Sequence, residues 1–181
     1  MREEYGRNLI EGYYNDVASL TEAERSARDA MPDVTELLKD ELSVHTPEGG
    51  GTRLEELITL PAFNVRGLSA GGVGSQGRNI ILSTATASLN LRLVPNQDPE
   101  TIRKLIEAHI TRQGFHIVYN EPSNETLRDN EKVIKLDWRG PGGSGLRTSM
   151  DGEMSQRLIK LLRQITPDLI LTPSMGGGLP L

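Results

Sequence analysis

Leu89-Asn90-Leu91-Arg92-Leu93-Val94-Pro95-Asn96-Gln97-Asp98-Pro99 is the stretch on which the fold turns. It closes a run in which Ala85, Ala87, Leu89, Leu91 and Leu93 alternate with Thr84, Thr86, Ser88, Asn90 and Arg92. Unbroken period-two alternation predicts a β-strand with one face on a core and the other on water or a partner. Pro95-Asn96-Gln97 turns the chain, Asp98 is placed to cap a helix, and Pro99 suits its first position. Ile102, Leu105, Ile106 and Ile110 then form an apolar stripe at helical spacing, Gly114 ends the helix, and Phe115 to Tyr119 returns as a strand.

Upstream, Pro61 to Leu68 predicts a second strand, with Phe63 and Val65 set against Asn64 and Arg66, and Ser69 to Arg78 is a glycine-rich loop. Thr21-Glu22-Ala23-Glu24 has the form of a capping box and predicts a helix to about Ala30. Pro32-Asp33 stops it and opens another helix carrying Leu37, Leu38 and Leu42, and residues 45–53 form a loop. Strand, loop, strand, helix, strand over 62–119 suits an α+β fold, a small antiparallel sheet with helices packed on one face. Downstream, residues 120–147 are rich in Asn, Pro, Gly and charge, with a short strand at Val133–Trp138. A helix from about Asp151 carries Met154, Leu158, Leu161, Leu162 and Ile165, and Asp168 to Leu171 has the look of a buried strand.

Composition bounds the function. The 181 residues are 36% hydrophobic and 25% charged with net charge −5, which gives no reason to expect nucleic acid or an anionic membrane as partner. There is no cysteine, so disulfides, thiolate nucleophiles and Cys-based zinc sites are excluded, which fits a cytoplasmic protein. No run of about 18 apolar residues exists to span a membrane, and no apolar signal core follows Met1.

Catalytic motifs are mostly missing. Gly72-Val73-Gly74-Ser75-Gln76-Gly77 matches G-x-G-x-x-G, but it opens the alternating strand rather than a helix, so a hairpin-like loop is the expectation and a nucleotide site is not. His45, His109 and His116 lack zinc-ligand spacing and are expected to be structural or surface residues. Glu55-Glu56 is expected to be an exposed pair. No G-x-S-x-G elbow is present. Arg92 ends the polar face of the long strand beside the turn. A guanidinium there can bind a carboxylate through two parallel hydrogen bonds, or it can be a solvated or cross-strand arginine.

Several segments, in order, resemble the di-zinc metallopeptidase family of aminoacylase, carnosinase-like dipeptidases and succinyl-diaminopimelate desuccinylase. Leu91 to Pro99 resembles its R-L-V-P-N-Q-x-P segment, and Asn64 to Gly72 its N-x-x-G-[IL]-x-G-G stretch. Gly77-Arg78-Asn79-Ile80-Ile81 resembles G-x-[NT]-x-I-P, with Leu82 in place of the proline. Residues 10–21 resemble G-[FY]-Y-x-D-V-x-x-L-T, and Arg147-Thr148-Ser149-Met150-Asp151 resembles R-T-P-M-D. Gly176-Gly177-Gly178-Leu179-Pro180 resembles G-G-S-[IL]-P, with Gly178 in place of the serine and so without its hydroxyl.

The resemblance implies a ferredoxin-like lid and dimerisation domain over residues 1–120, lacking its first strand and helix. It further implies a crossover at 121–147 and a fragment of the catalytic α/β domain at 148–181. Arg92 is then similar to the lid arginine that binds the substrate carboxylate, and Asn79 to the lid residue that polarises the scissile carbonyl across the dimer. Gly176, Gly177 and Gly178 lie near the substrate. None of the family's zinc ligands maps onto this chain, and neither does the lid histidine of its H-S-G segment. The expectation is a portion of a zinc-dependent peptidase or amidohydrolase acting on a dipeptide or N-acyl amino acid. Two zinc ions belong to the full-length enzyme and none to this chain, and the chain alone is inactive and homodimeric. The alternative is a stand-alone α+β binding or scaffold module recognising a small carboxylate ligand.

Overall fold

Thr21 and Glu24 cap the first helix reciprocally. The Glu24 N–H donates to the Thr21 hydroxyl (3.3 Å), the Thr21 N–H donates to the Glu24 carboxylate (2.8 Å), and α1 runs Glu22–Ala30 behind them. The computed structural model describes residues 3, 6–140, 142–143 and 145–173. The order continues as α2 (Thr35–Leu42), α3 (Leu54–Leu57), β1 (Ala62–Ser69), β2 (Thr86–Arg92), α4 (Pro99–Arg112), β3 (His116–Val118), α5 (Asn124–Asp129), β4 (Val133–Lys135) and α6 (Glu153–Ile165). Asp33 supports α2 from two residues ahead, accepting the Thr35 N–H at 2.9 Å.

The core is organised by α4. Asp98 accepts from both the N–H and the hydroxyl of Thr101 at 2.8 Å, which holds its carboxyl below the usual range, and Pro99 occupies the first turn. Ile102, Ile106 and Ile110 are each buried to 5% exposure or less. At about 1.5–3 kcal/mol each, they dominate what this helix gains from packing. They meet Ile10 and Tyr13 from the N-terminal segment and Phe63 from β1, with Leu91, Phe115, Ile117 and Ile134 packed around them. Gly114 takes φ +85°, the left-handed conformation that ends the helix and turns it into β3.

β1 and β2 pair antiparallel, with a bulge at Arg66. The bulge explains why β1 breaks strict alternation. Phe63 pairs with Leu91 and Val65 with Leu89; Arg66 is the extra residue, and the next apolar pair is Leu68 with Ala87. Without the extra residue Leu68 would fall on the polar face. The expected core face of β2 is only partly realised, because the core ends at the hairpin's root. Phe63 is buried and Leu91 and Leu93 are half-buried, but every residue from 64 to 90 is exposed, Leu89 and Leu68 included. The hairpin is an arm, with no described layer over its outer apolar face.

The α+β class with a small antiparallel sheet holds, but β3 lies outside that sheet. It pairs in parallel with β4, His116 opposite Val133, and α5 provides the crossover that parallel pairing requires. Ile134, Leu136 and Trp138 pack against the core, so part of the 121–147 stretch is attached to the first 120 residues. Arg103 lies over the rings of Tyr119 and Trp138, and Glu107 accepts from both Arg103 Nε (3.0 Å) and Trp138 Nε1 (2.9 Å). Burial raises the Glu107 carboxyl, but the hydrogen bonds from Arg103, Tyr119 and Trp138 together outweigh it and leave it lowered.

The last segment differs from expectation. The apolar stripe of α6 is in place, but Met154, Leu158, Leu161 and Ile165 are all more than half exposed. Asp168 to Leu171 forms no strand, since no described strand lies beside it, and Ile170 stays exposed. Arg147 anchors the start of this segment. Its guanidinium pairs with the buried Glu24 at 3.2 Å and donates to Ser19 O at 3.1 Å.

Candidate functional site

Arg92 owes its position to its neighbours. Leu91 and Leu93 on either side pack against the core, so Arg92 points to the opposite, exposed face, in register with Ala62. Directly after it, the Gln97 N–H donates to Val94 O at 3.2 Å and Asn96 takes φ +72° behind Pro95, the geometry of a type II turn. Gln97 itself is 1% exposed. Its Oε1 accepts from the Val94 N–H at 3.2 Å and its Nε2 donates to Tyr13 O at 2.7 Å. Two of the resembling segments, Gly12-Tyr13-Tyr14 and Arg92 to Gln97, are thereby tied together. Gly145 lies directly against this turn. A Cβ at Gly145 would lie 2.6 Å from Val94 Cα, a backbone approach only glycine permits.

Asn79 sits at the other end of the arm. The loop contains a 3-10 turn at Gly74–Gln76, and the Ile80 N–H donates to Arg78 O at 2.9 Å, closing a tight turn centred on Asn79. The loop joins two antiparallel strands and opens no α-helix, so its glycine pattern serves the hairpin. The ladder runs from Ala62↔Arg92 at the root to Ser69↔Thr86 at the loop end. Six residues of strand at roughly 3.4 Å each set Arg92 about 20 Å from the loop that bears Asn79. Within one chain the two are not brought together. Gly176, Gly177 and Gly178 lie outside the described residues.

The remaining candidates have structural employment. Glu55 is buried rather than exposed, because Arg53 pairs with it at 3.2 Å, and Glu56 faces Arg28 at 3.5 Å. The adjacent arginines turn this acidic pair into a bracket between α1 and α3. His116 is exposed on β3, and His109 is half-buried on α4, its imidazole pushed down chiefly by burial. Among the described residues no group of three or more His, Cys, Asp or Glu is arranged to hold a metal ion. Cavities of about 280 Å³ between α1 and α6 and about 300 Å³ beside Arg28 and Glu56 include neither Arg92 nor Asn79 in their walls. The sequence marked Glu24 as a cap but not as the partner of Arg147, and nothing in local spacing marked Gln97 as buried.

A family model described as the peptidase dimerisation domain matches residues 17–117. The Cys-Gly metallodipeptidase dug1 of Schizosaccharomyces pombe is 29% identical over 182 residues, covering 97% of this chain and 35% of that protein. The structure is similar to the M20 family metallo-carboxypeptidase Sso-CP2 from Sulfolobus solfataricus, with TM-score 0.72 and 27% identity over 99% of this chain and 43% of that one. It shares its fold with the di-peptidase Dug1p from Saccharomyces cerevisiae, with TM-score 0.62 and 15% identity over 99% of this chain and 35% of that one. The chain thus spans about a third of the curated relative's length. With over half its residues inside the matched domain, the chain belongs to the M20 peptidase dimerisation-domain family.

Proposed function

We propose that this chain is the lid and dimerisation portion of a zinc-dependent dipeptidase or N-acyl amino acid amidohydrolase that works as a homodimer in the cytoplasm. Arg92 binds the free carboxylate of the substrate, and Asn79 of a second copy donates a hydrogen bond to the scissile carbonyl. Residues 1–120 form most of the lid, 121–147 a crossover, and 148–181 the return into the catalytic domain, where Gly176, Gly177 and Gly178 border the substrate.

The separation of Arg92 from Asn79 carries this reading. A dipeptide spans only about 7 Å, whereas the loop that bears Asn79 begins about 20 Å of strand away from Arg92, which favours the two serving one substrate from two copies. The exposure of the arm on both faces suits a part that is covered in an assembly. Chemically, the guanidinium fixes the substrate's register through paired hydrogen bonds. The amide adds a donor whose hydrogen bond strengthens as negative charge builds on the carbonyl oxygen. Among the described residues no group of three or more His, Cys, Asp or Glu is arranged to hold a metal ion, and the part proposed for Arg92 and Asn79 is orientation and charge stabilisation.

The purified 181-residue chain is expected to hydrolyse no dipeptide with or without added zinc, and the longer enzyme is expected to hydrolyse Ala-Ala. In that enzyme Arg92→Gln raises KM by about tenfold to a hundredfold, the equivalent of one charge-assisted hydrogen-bonded contact. A KM that stays within about twofold of the unsubstituted enzyme refutes the carboxylate role.

A further inference from the structure

Residues 57–97 contain no Asp, Glu, Lys or His, in a chain with 25 acidic residues; their only charges are Arg66, Arg78 and Arg92. All three arginines are exposed. The guanidinium groups of Arg66 and Arg78 form no hydrogen bond or ion pair with any described residue. Elsewhere Arg25, Arg28, Arg53, Arg103 and Arg147 each pair with a carboxylate. The arm is therefore cationic and holds no counter-charge of its own, which leaves the Arg78 guanidinium open to an anion from outside the arm. Beside it the tip exposes Val73 (85%), Ile80 (62%) and Ile81 (fully). Apolar side chains around a guanidinium suit a seated state in which the former are covered and the latter is paired with little screening.

We infer that Arg78 is a specificity-determining residue that reads a second carboxylate on the substrate, so that the enzyme favours dipeptides with an acidic side chain over neutral ones. The inference rests on the placement of Asn79 at the scissile carbonyl proposed above. Arg78 is the next residue, its Cα about 3.8 Å away, and it flanks the tight turn that presents Asn79. In that shared site Arg92 of the other copy holds the substrate's own terminal carboxylate, which leaves Arg78 for an additional negative group.

The test compares kcat/KM of the longer enzyme for Ala-Ala, Glu-Ala and Ala-Glu, in unsubstituted form and as Arg78→Gln and Arg78→Lys, with the dimer monitored by sedimentation. The unsubstituted enzyme is expected to favour one acidic dipeptide over Ala-Ala by about tenfold or more. Arg78→Gln brings that ratio to about one, and Arg78→Lys keeps part of it. A ratio near one in the unsubstituted enzyme overturns the inference. So does an Arg78→Gln enzyme that loses all three activities alike, or one whose dimer weakens while the ratio survives, which assigns Arg78 to an acid on the second copy. Failure of the parent proposal has a different signature: none of the dipeptides is cleaved, or Arg92→Gln leaves KM unmoved.

Discussion

Gln97→Leu tests whether the turn behind Arg92 is held by its buried amide. The substitution keeps approximate volume and removes both hydrogen bonds, leaving the Val94 N–H and the Tyr13 carbonyl facing a hydrocarbon at a position 1% exposed. Each stranded backbone group costs about 1–3 kcal/mol, so the two together cost about 2–6. The apolar replacement returns roughly 1 kcal/mol of burial, for a net loss of about 1–5. Against a typical total of about 5–15 kcal/mol this is a large fraction. With a urea slope of about 2 kcal/mol per molar, the unfolding midpoint of the purified chain falls by about 0.5–2.5 M. Amide exchange at Val94 accelerates with it, because that N–H loses its acceptor. Gln97→Glu keeps the acceptor but turns a carboxylate toward the Tyr13 carbonyl, and at neutral pH it is expected to be at least as harmful. A midpoint for Gln97→Leu within about 0.3 M of the unsubstituted chain refutes the reasoning.

Arg147→Ala strips the partner from Glu24, which is itself 1% exposed, and is expected to cost about 3–5 kcal/mol in the same urea assay. Gly145→Ala drives a Cβ to 2.6 Å from Val94 Cα and 2.7 Å from its carbonyl carbon. A backbone shift costing about 1–3 kcal/mol follows, and a neutral result in the urea assay would refute the close approach at Gly145. Burial first, and repulsion from the neighbouring Tyr14 phenolate second, push the Tyr13 phenol up to about 12 from 10.0. Because the folded form holds its proton more tightly, the stabilisation is complete below pH 10 and is lost as pH rises to 12, by about 3 kcal/mol in all. Tyr13→Phe removes that slope, which urea melts between pH 8 and 12 detect.

Where a residue's role depends on near neighbours, the sequence stated it outright. Thr21 with Glu24, and Asp98 with Pro99, define helix starts through contacts three residues apart, and the Ile102, Ile106, Ile110 stripe follows from helical spacing alone. Roles set by distant segments were hidden. β3 pairs with β4 across a crossover, and a strand at Phe115–Tyr119 carries no mark of which neighbour it will take. The exposure of Ala87 and Leu89 was equally invisible, since alternation specifies two faces but not whether a layer covers one of them. Of the Glu55-Glu56 pair, expected to be exposed, Glu55 is buried with Arg53 beside it, while Glu56 stays half-exposed opposite Arg28 of another helix, a difference the pair's own spacing does not show. For the site, Arg92 stands out from the alternation of its strand as a candidate carboxylate binder, with a solvated arginine as the alternative, while Asn79 is named only by resemblance. Their separation needed the register of the hairpin, and the bulge at Arg66 that sets that register shows in the sequence only as a broken alternation.

The central claim is that two copies share one substrate through opposite ends of this arm, and mixed dimers test it. Arg92→Gln and Asn79→Ala versions of the longer enzyme are each expected to be severely impaired as homodimers. In a dimer combining one of each, one site receives both substitutions and the other receives Arg92 from one copy and Asn79 from its partner, both intact. Mixing the two impaired proteins under conditions of subunit exchange should restore dipeptide hydrolysis toward about half the unsubstituted rate per mixed dimer. No recovery, with exchange verified by tagged subunits, would mean that Arg92 and Asn79 act within one copy or not at all on substrate, and would contradict the account.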